Sequence, residues 1–221
     1  PYKSPTDMGV NMAGFAIVDD AVCQAASRME ILRRYYTGLV DRVKGKCDEC
    51  VVRKLEIVMQ QAGVTPDICP AVRASLDKAQ ATGAPAGAMV LPDGRVVTGK
   101  TSSLLGPSAA MLLNAVKLLA GIDKDLDLLP ASIIAPISDM KLRHLGHHNP
   151  RLHSDEVLIA LSISAVTNPL AERVLKKLDD LRGSEAHFSV ILSEEDAKLY
   201  KRLGIHVSCE PRYEVKKLYH K

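Results

Sequence analysis

The chain has 221 residues, of which 47% are hydrophobic and 25% charged, as in an ordinary globular protein. Its 29 Lys and Arg are nearly balanced by 26 Asp and Glu, for a formal charge of +3, and it has no Trp and only two Phe on which bases could stack. This composition argues against nucleic acid as a partner. Its apolar runs fall far short of the ~20 residues that span a bilayer, so we expect no membrane association and a cytoplasmic location.

The cysteines and the first residue bear on the cellular context. Five cysteines are an odd number and lack the density of a disulfide-stabilised domain, so we expect reduced thiols. We interpret Cys47 and Cys50 as ordinary thiols, because the pair does not follow a strand and open a helix as redox pairs do. The chain starts at Pro1 without a Met, from which we expect a fragment or a processed product of a longer protein.

The first part of the chain predicts two helices. Residues 1–14 have the composition of a loop, and Asp19-Asp20 can cap a helix N-terminus. Apolar residues at spacings of three and four then predict one helix that ends near Gly45 and a second from Asp48 to Ala62. We expect these helices to form an antiparallel hairpin in an N-terminal domain of residues 1–65.

The second domain, residues 66–221, alternates between helical and β-favouring segments. Pro92-Asp93-Gly94 predicts a hairpin turn, because Pro presets φ and Gly accepts positive φ. The elements expected in chain order are a helix over 71–81, a strand on each side of the turn, a helix over 107–120, a strand over 131–138, a helical region over 154–181 that breaks at 167–169, a strand over 187–193, a helix over 194–203 and a strand over 205–211.

This order predicts an α/β fold class, with a three-layer α/β/α arrangement around a mixed sheet. The same order occurs in the cytidine-deaminase-like topology. The zinc chemistry of those enzymes needs a His or Cys beside a catalytic Glu at the start of one helix and a P-C-x-x-C on the next. The corresponding segment here, GPSAAMLLNA, has neither. We therefore expect this topology without the zinc motif.

Residues 94–101 match the spacing of a phosphate loop. They read GRVVTGKT, with two glycines, then Lys and Thr. A working phosphate loop lies between a buried strand and a helix, and its amides surround the phosphates. Here Gly94 lies in the predicted hairpin turn, and the next helix begins only near Pro107. We interpret the match as coincidental, because these amides should belong to a sheet.

The loop behind the hairpin is a candidate anion site. Lys100, Thr101, Ser102 and Ser103 precede a helix that begins at Pro107-Ser108, where free amides and the helix dipole favour an anion. In this hypothesis Lys100 is the counter-charge, the three hydroxyls are donors and the region around Ser108 supplies amides. The alternative is that Ser and Thr only cap and turn the chain.

Four histidines lie within ten residues. His144, His147, His148 and His153, followed by Asp155 and Glu156, are metal-ligand types, but their spacing matches no zinc signature and a solvated loop is the commoner explanation. We expect no metal and assign no cofactor. His153 is a candidate acid or base, because the acidic first turn of the next helix would hold its imidazole near an acidic pair.

Long strings of the sequence are similar to a bacterial family. The strings are YKSPTDMGVNMAGFAIVDD, LRRYY, GRVVTGKTSSLLGPSAAMLLNAVKLLAGI, LHSDEVLIALSISAVTNP and AHFSVILSEEDAKLYKRLGIHVSCEPRYE. They resemble the C-terminal portion of the bacterial uncharacterised protein family 0371, also called domain of unknown function 1846. The resemblance implies a longer protein, whose N-terminal part carries a glycine-rich loop that resembles a phosphate-binding element. It implies no established activity.

Two functions follow as hypotheses. In the first, the chain is the C-terminal module of a cytosolic bacterial protein and binds an anionic, phosphate- or nucleotide-like molecule at residues 99–108, facing an upstream nucleotide site. In the second, it is a non-catalytic oligomerisation module whose helical hairpin, residues 20–62, packs against another copy. The expected partners are a second copy, the N-terminal part of the same protein, or both. Whether the protein is an enzyme is left open.

Overall fold

A computed structural model describes residues 19–214, so the predicted opening loop lies outside the described residues. Within this range the structure contains eight α-helices and four strands, and the chain divides into two compact units, Pro1–Ile68 and Cys69–Lys221. The predicted domain division at residue 65 stays a prediction. None of the helices in the described range is both long and apolar enough to cross a membrane.

The unit Pro1–Ile68 contains α1 (Asp20–Val43), α2 (Glu49–Gln61) and a 3₁₀ turn at Pro66–Ile68. The carboxylate of Asp19 accepts a hydrogen bond from the Val22 amide at 3.0 Å, and that of Asp48 accepts from the Val51 amide at 3.1 Å. These caps satisfy amides that have no partner inside the helix. The two predicted helices are confirmed, and they contact each other.

The unit Cys69–Lys221 begins with α3 (Pro70–Thr82) and a hairpin of β1 (Ala86–Val90) and β2 (Val96–Lys100). The Gly94 amide donates to the Leu91 carbonyl at 2.8 Å, and Gly94 has a φ of 84°, a left-handed value that favours glycine. The predicted hairpin is confirmed. Its strands pair from Val90–Val96 to Ala86–Lys100, so the segment that matches the phosphate-loop spacing is a turn and a strand.

The predicted strand over 131–138 is wrong, because this segment belongs to a helix. After α4 (Pro107–Leu119), the next element is α5 (Ala131–Arg143). Pro136 is the sixth residue of this helix, where it removes the one hydrogen bond that its amide would donate to the carbonyl four residues earlier. Ile134 and Lys141, two turns apart on one helix face, are the buried residues of α5. A helical burial pattern therefore overrides the strand preference of the isoleucines.

The remaining elements are α6 (Ser154–Ala165), α7 (Pro169–Leu175), a 3₁₀ turn at Asp179–Leu181, β3 (Glu185–Phe188), α8 (Glu194–Arg202) and β4 (His206–Cys209). The predicted break between α6 and α7 is confirmed: Asn168 caps α7 by accepting from the Leu170 amide at 3.0 Å. The strand predicted over 187–193 begins two residues earlier and ends at Phe188.

The four strands form one mixed sheet in the order β2-β1-β3-β4. Strand β1 is antiparallel to β2 and β3, whereas β3 and β4 are parallel. The fold class is therefore mixed α/β, as predicted. The predicted strand over 131–138 is absent from this sheet within residues 19–214, and the cytidine-deaminase-like topology is not confirmed.

Gly99 brings α4 directly against the sheet. A Cβ on Gly99 would lie 2.2 Å from the Met111 amide nitrogen, and one on Gly87 would lie 2.4 Å from Phe188 Cε1 of the neighbouring strand β3. Because no side chain separates β2 from α4, the helix backbone contacts the strand. Residues Met111, Leu112, Ala115 and Val116 of α4 are fully buried in the main core. This packing determines where the N-terminus of α4 lies.

Candidate functional site

Three helices begin around one buried carboxylate, that of Asp196 in α8, which is 5% exposed. Its Oδ2 accepts hydrogen bonds from Ser108 Oγ at 2.8 Å and Ser193 Oγ at 3.2 Å, and its Oδ1 accepts from the Ser154 amide at 2.9 Å. The three donors belong to the starts of α4, α8 and α6. The carboxylate therefore receives one backbone amide from the start of α6 and one hydroxyl each from the starts of α4 and α8.

His153 lies beside this carboxylate. It is the residue that precedes α6, and its Nδ1 lies 3.4 Å from Asp196 Oδ2, with 23% of its side chain exposed. The hydrogen bond with Asp196 raises the pKa of His153, against the effects of burial and of Lys141. Burial opposes the ionisation of Asp196, but the hydrogen bonds from His153 and the Ser154 amide outweigh it and lower the pKa of Asp196 from 3.8 to about 2. The pair favours a charged imidazole next to a carboxylate.

The backbone of His153 is held by a second ion pair. Lys141 is 1% exposed, and its Nζ donates to Glu156 Oε2 at 2.6 Å and to the Arg151 carbonyl at 2.7 Å. Glu156 Oε2 also accepts from the His153 amide at 2.7 Å. Because α5 supplies the lysine and α6 the carboxylate, this pair fixes the chain where it enters α6, and with it the imidazole.

Tyr200 joins α8 to the start of α4. Its side chain is fully buried, its hydroxyl donates to the Ser108 carbonyl at 2.9 Å, and its ring packs edge-on against Phe188 at 5.6 Å. Burial raises the pKa of Tyr200 well above its usual value. The tyrosine therefore stays neutral and acts as a hydrogen-bond donor that keeps Ser108 next to Asp196.

His153 separates this buried cluster from an open cleft of about 510 Å³. We call it the histidine cleft, and its lining residues are Gly146, His147, His148, Asn149, His153, Asp155, Glu156, Ser193 and Glu195. On the inner side, a pocket of about 30 Å³ lies against Ser108 and Asp196 and shares Asn149, His153 and Ser193 with the cleft. The imidazole can thus contact both the buried carboxylate and a molecule in the cleft.

Several donors of the loop predicted to bind an anion form hydrogen bonds with other groups of the protein. The amides of Thr101, Ser102 and Gly106 donate to the carbonyls of Pro85, Leu105 and Leu152. Ser102 Oγ accepts from the amides of Leu104 and Leu105 at 3.2 and 3.0 Å, which is the turn-forming use of serine weighed above as the alternative. Ser103 lies in the same loop. Binding of an anion by these residues stays a prediction.

The structure brings one of the five predicted ligand residues to His153. Ser108 joins the Asp196 cluster, whereas Lys100 is an exposed residue at the end of β2. Side chains alternate along a strand, so Lys100 lies on the face opposite to Gly99, which contacts α4. The hydroxyl oxygen of Thr101 is buried and has no hydrogen-bond partner among residues 19–214.

The predicted histidines divide into two groups. His147 and His148 line the histidine cleft with His153, whereas His144 is an exposed residue at the end of α5. Within the part of the chain that the structure describes, no three His, Cys, Asp or Glu side chains are close enough together to hold a metal ion. The partner of the His153 imidazole was predicted in the first turn of α6, but it is Asp196 of α8.

Asp196 carries no sequence signal that distinguishes it from an ordinary capping residue. The string SEED over 193–196 is a capping pattern, and Ser193 Oγ does accept from the Asp196 amide at 3.1 Å. The same carboxylate also meets Ser108, 88 positions earlier, and His153, 43 positions earlier. Only the packing of α4, α6 and α8 brings these residues together.

Comparison with known proteins identifies the family. A family described as "Domain of unknown function DUF1846, C-terminal" matches residues 67–219, and "Domain of unknown function DUF1846, N-terminal" matches residues 1–63. The chain is 53% identical to the UPF0371 protein of Corynebacterium glutamicum (strain R), 52% to UPF0371 protein CE2832 of Corynebacterium efficiens and 50% to UPF0371 protein stu1377 of Streptococcus thermophilus. Each match covers 100% of this chain and 45% of the relative, so the chain spans less than half the length of these relatives. The resemblance seen in the sequence is confirmed, and the chain belongs to the DUF1846 family, whose members named here are UPF0371 proteins.

Proposed function

We propose that the unit Cys69–Lys221 binds a small polar molecule in the histidine cleft and that His153 exchanges a proton with it. The observation that carries this proposal is the contact of 3.4 Å between His153 Nδ1 and the buried carboxylate of Asp196, at the edge of a cleft of about 510 Å³. Clefts of this size with a few convergent polar groups are typical of small-molecule sites.

The chemistry of a His–Asp pair supports an acid–base role. A carboxylate next to Nδ1 selects the imidazole tautomer that carries its proton on Nδ1 and stabilises the imidazolium when Nε2 is protonated. Asp196 is itself held by donors from three helices, so it remains ionised and fixed in place. Such a pair can accept or donate a proton at Nε2 with little reorganisation.

The hypothesis of an anionic ligand at residues 99–108 has weaker support. Ser108 already donates to Asp196, and the amides of Thr101, Ser102 and Gly106 donate to carbonyls. A carboxylate of the protein itself thus already accepts the Ser108 hydroxyl that an external anion at this loop would need. We therefore assign the ligand to the histidine cleft, and we keep an upstream nucleotide site as a proposal about the longer protein.

A fragment screen by NMR on the ¹⁵N-labelled chain tests the proposal. We expect hits to shift the amide signals of residues 146–149, 153–156 and 193–196, and we expect His153→Asn to weaken them. His206→Asn is the matched control, because His206 is an exposed histidine on β4 of the same unit. Hits that avoid these signals, or that bind His153→Asn and the unchanged protein equally well, would refute the proposal.

Homo-oligomerisation is a second proposal, and exposed apolar side chains on the helical pair support it. Val22 of α1 is 63% exposed and Ile57 of α2 is 53% exposed. A contact between copies would remove this apolar surface from water. Analytical ultracentrifugation at micromolar concentration tests it: we expect a dimer or larger species that Val22→Ser with Ile57→Ser dissociates, and a monomer would refute it.

Two finer proposals concern the fold and the location. We propose a three-layer, cytidine-deaminase-like arrangement, because α3 contacts β1, β2 and β3, α4 contacts β1 and β2, and strands present alternate side chains to opposite faces. An experimental structure with α3 and α4 on one face would contradict it. We propose a cytoplasmic location because five cysteines are an odd number and lack the density of a disulfide-stabilised domain, which fractionation of the native cells would test.

A further inference from the structure

We propose that Ser208 is a nucleophilic serine that accepts an acyl group from an ester or a thioester, with His187 as its general base and Glu210 as the residue that positions the imidazole. These three residues lie outside the lining of the histidine cleft, so the inference is independent of the function proposed above.

The three side chains lie on one face of the sheet. Strand β3 presents the ring of Phe188 to Tyr200 of α8, so the preceding residue, His187, points to the opposite face. Ser208 of β4 is the register partner of His187 and lies on the same face. Glu210 follows two residues later, and its amide continues the ladder by donating to the Phe188 carbonyl at 2.8 Å, so its side chain returns to that face. The parallel pairing of β3 and β4 thus brings the three residues together.

His187 joins the hydroxyl to the carboxylate. Its side chain is fully buried, its Nδ1 lies 2.7 Å from Ser208 Oγ, and its Nε2 lies 3.3 Å from Glu210 Oε1. An ionised carboxylate can only accept hydrogen bonds, so it holds the proton of a neutral imidazole on Nε2. Nδ1 is then an acceptor, and the Ser208 hydroxyl is its donor. This is the arrangement of an activated serine, with the two ring nitrogens exchanged relative to the Ser-His-Asp triad.

The reaction uses the hydrogen bond between Ser208 and His187. Ser208 is half-buried and belongs to β4, a strand at the edge of the sheet. Its Oγ forms a bond to the carbonyl carbon while its proton moves to His187 Nδ1. The bond from that carbon to the alkoxide or thiolate then breaks, and the leaving group takes the proton from Nδ1. Water attacks the acyl-serine with the same base, which releases a carboxylic acid and restores the hydroxyl.

Acetylation by p-nitrophenyl acetate tests the reactivity of the hydroxyl, which the hydrogen bonds alone do not establish because a buried imidazole needs partners in any protein. We expect peptide mass spectrometry after an acid quench to find acetyl-Ser208 forming about a hundredfold faster than acetyl-Ser162, the low end of a general-base effect. Ser162 is the matched control, because it is an exposed serine of the same unit whose hydroxyl donates to the Leu158 carbonyl at 2.9 Å. Ser208→Ala should remove the fast release of p-nitrophenolate.

Glu210→Gln tests the positioning residue, because it keeps the size of the side chain and removes the charge. We expect acetylation of Ser208 to slow at least about tenfold, in a protein that circular dichroism shows to be folded. Glu194→Gln is the matched control: it removes the same charge from the same unit, but its carboxylate pairs with Lys198 at 3.8 Å. It should leave the acetylation rate within experimental error.

The tautomer of His187 is a readout that a merely structural role of Glu210 would not change. At pH 8, where an ordinary imidazole is neutral, long-range ¹H–¹⁵N spectra of the unchanged protein should show the proton of His187 on Nε2. A proton on Nδ1 would overturn the inference, because the Ser208 hydroxyl could not then donate to it. Equal acetylation rates at Ser208 and Ser162, or equal effects of Glu210→Gln and Glu194→Gln, would overturn it as well. None of these results bears on the histidine cleft, which the fragment screen tests separately.

Discussion

Replacing Asp196 with Asn should destabilise the unit Cys69–Lys221 in a way that depends on pH. The substitution removes a charge that Ser108, Ser193 and the Ser154 amide all contact as hydrogen-bond donors. The pKa of Asp196 is lowered from 3.8 to about 2, and a shift of this size corresponds to a free energy of about 2 to 3 kcal/mol. We expect Asp196→Asn to lower the free energy of unfolding by about this amount at pH 5.5.

The pH profile tests the cause. A carboxylate with a lowered pKa in the folded state stabilises the protein above its unfolded pKa of 3.8, and this stabilisation is lost as the pH falls toward 2. Urea unfolding followed by circular dichroism should therefore show a difference between the two proteins that shrinks below pH 3.8. Glu194→Gln, an exposed change in the same turn, should cost less than about 1 kcal/mol. A difference that persists unchanged at pH 2.5, or that is absent at pH 5.5, would refute the reasoning.

Three further predictions concern neighbouring groups. The pKa of His153 is raised chiefly by its hydrogen bond with Asp196, so this hydrogen bond should stabilise the fold below pH 6.5, and the stabilisation should be lost as the pH rises through the folded-state pKa. In Asp196→Asn the NMR signals of His153 should titrate at a lower pH than in the unchanged protein. An unchanged titration would contradict the pairing. Lys141→Met should lower the free energy of unfolding by about 3 kcal/mol, because it leaves the partly buried carboxylate of Glu156 unpaired. Thermal unfolding indistinguishable from that of the unchanged protein would refute this prediction. Gly99→Ala should lower the free energy of unfolding by about 3 kcal/mol, because its Cβ would lie 2.2 Å from the Met111 amide nitrogen. Gly106→Ala, whose Cβ would have its nearest neighbour at 3.7 Å, should lower it much less. Equal melting temperatures for the two variants would contradict this packing.

The segments that the sequence predicted well are those whose conformation is determined by residues close to them in the chain. Asp19 and Asp48 cap helices, Pro107 begins one, and Gly94 takes the positive φ of the hairpin turn. Capping oxygens and glycine turns act within four residues. Their effect on the chain therefore does not depend on distant contacts.

Residues 131–138 show where local preference fails. Isoleucines and a proline in one segment favour an extended chain, and nothing nearby in the sequence opposes them. The structure makes this segment helical, with Ile134 and Lys141 buried on one face. The position of Lys141 against Glu156 depends on α6, which begins eleven residues after α5 ends.

The sequence by itself determined the family, the two N-terminal helices and the hairpin, and it identified Ser108 and His153 as candidate site residues. Tertiary structure alone decided that both side chains meet Asp196, because a carboxylate in a capping pattern has no local feature that reports its distant partners. It also decided that the Ser108 hydroxyl donates to a carboxylate of the protein itself, that of Asp196. Burial makes an unpaired donor or charge costly, so the starts of α4, α6 and α8 converge on one carboxylate that satisfies all three.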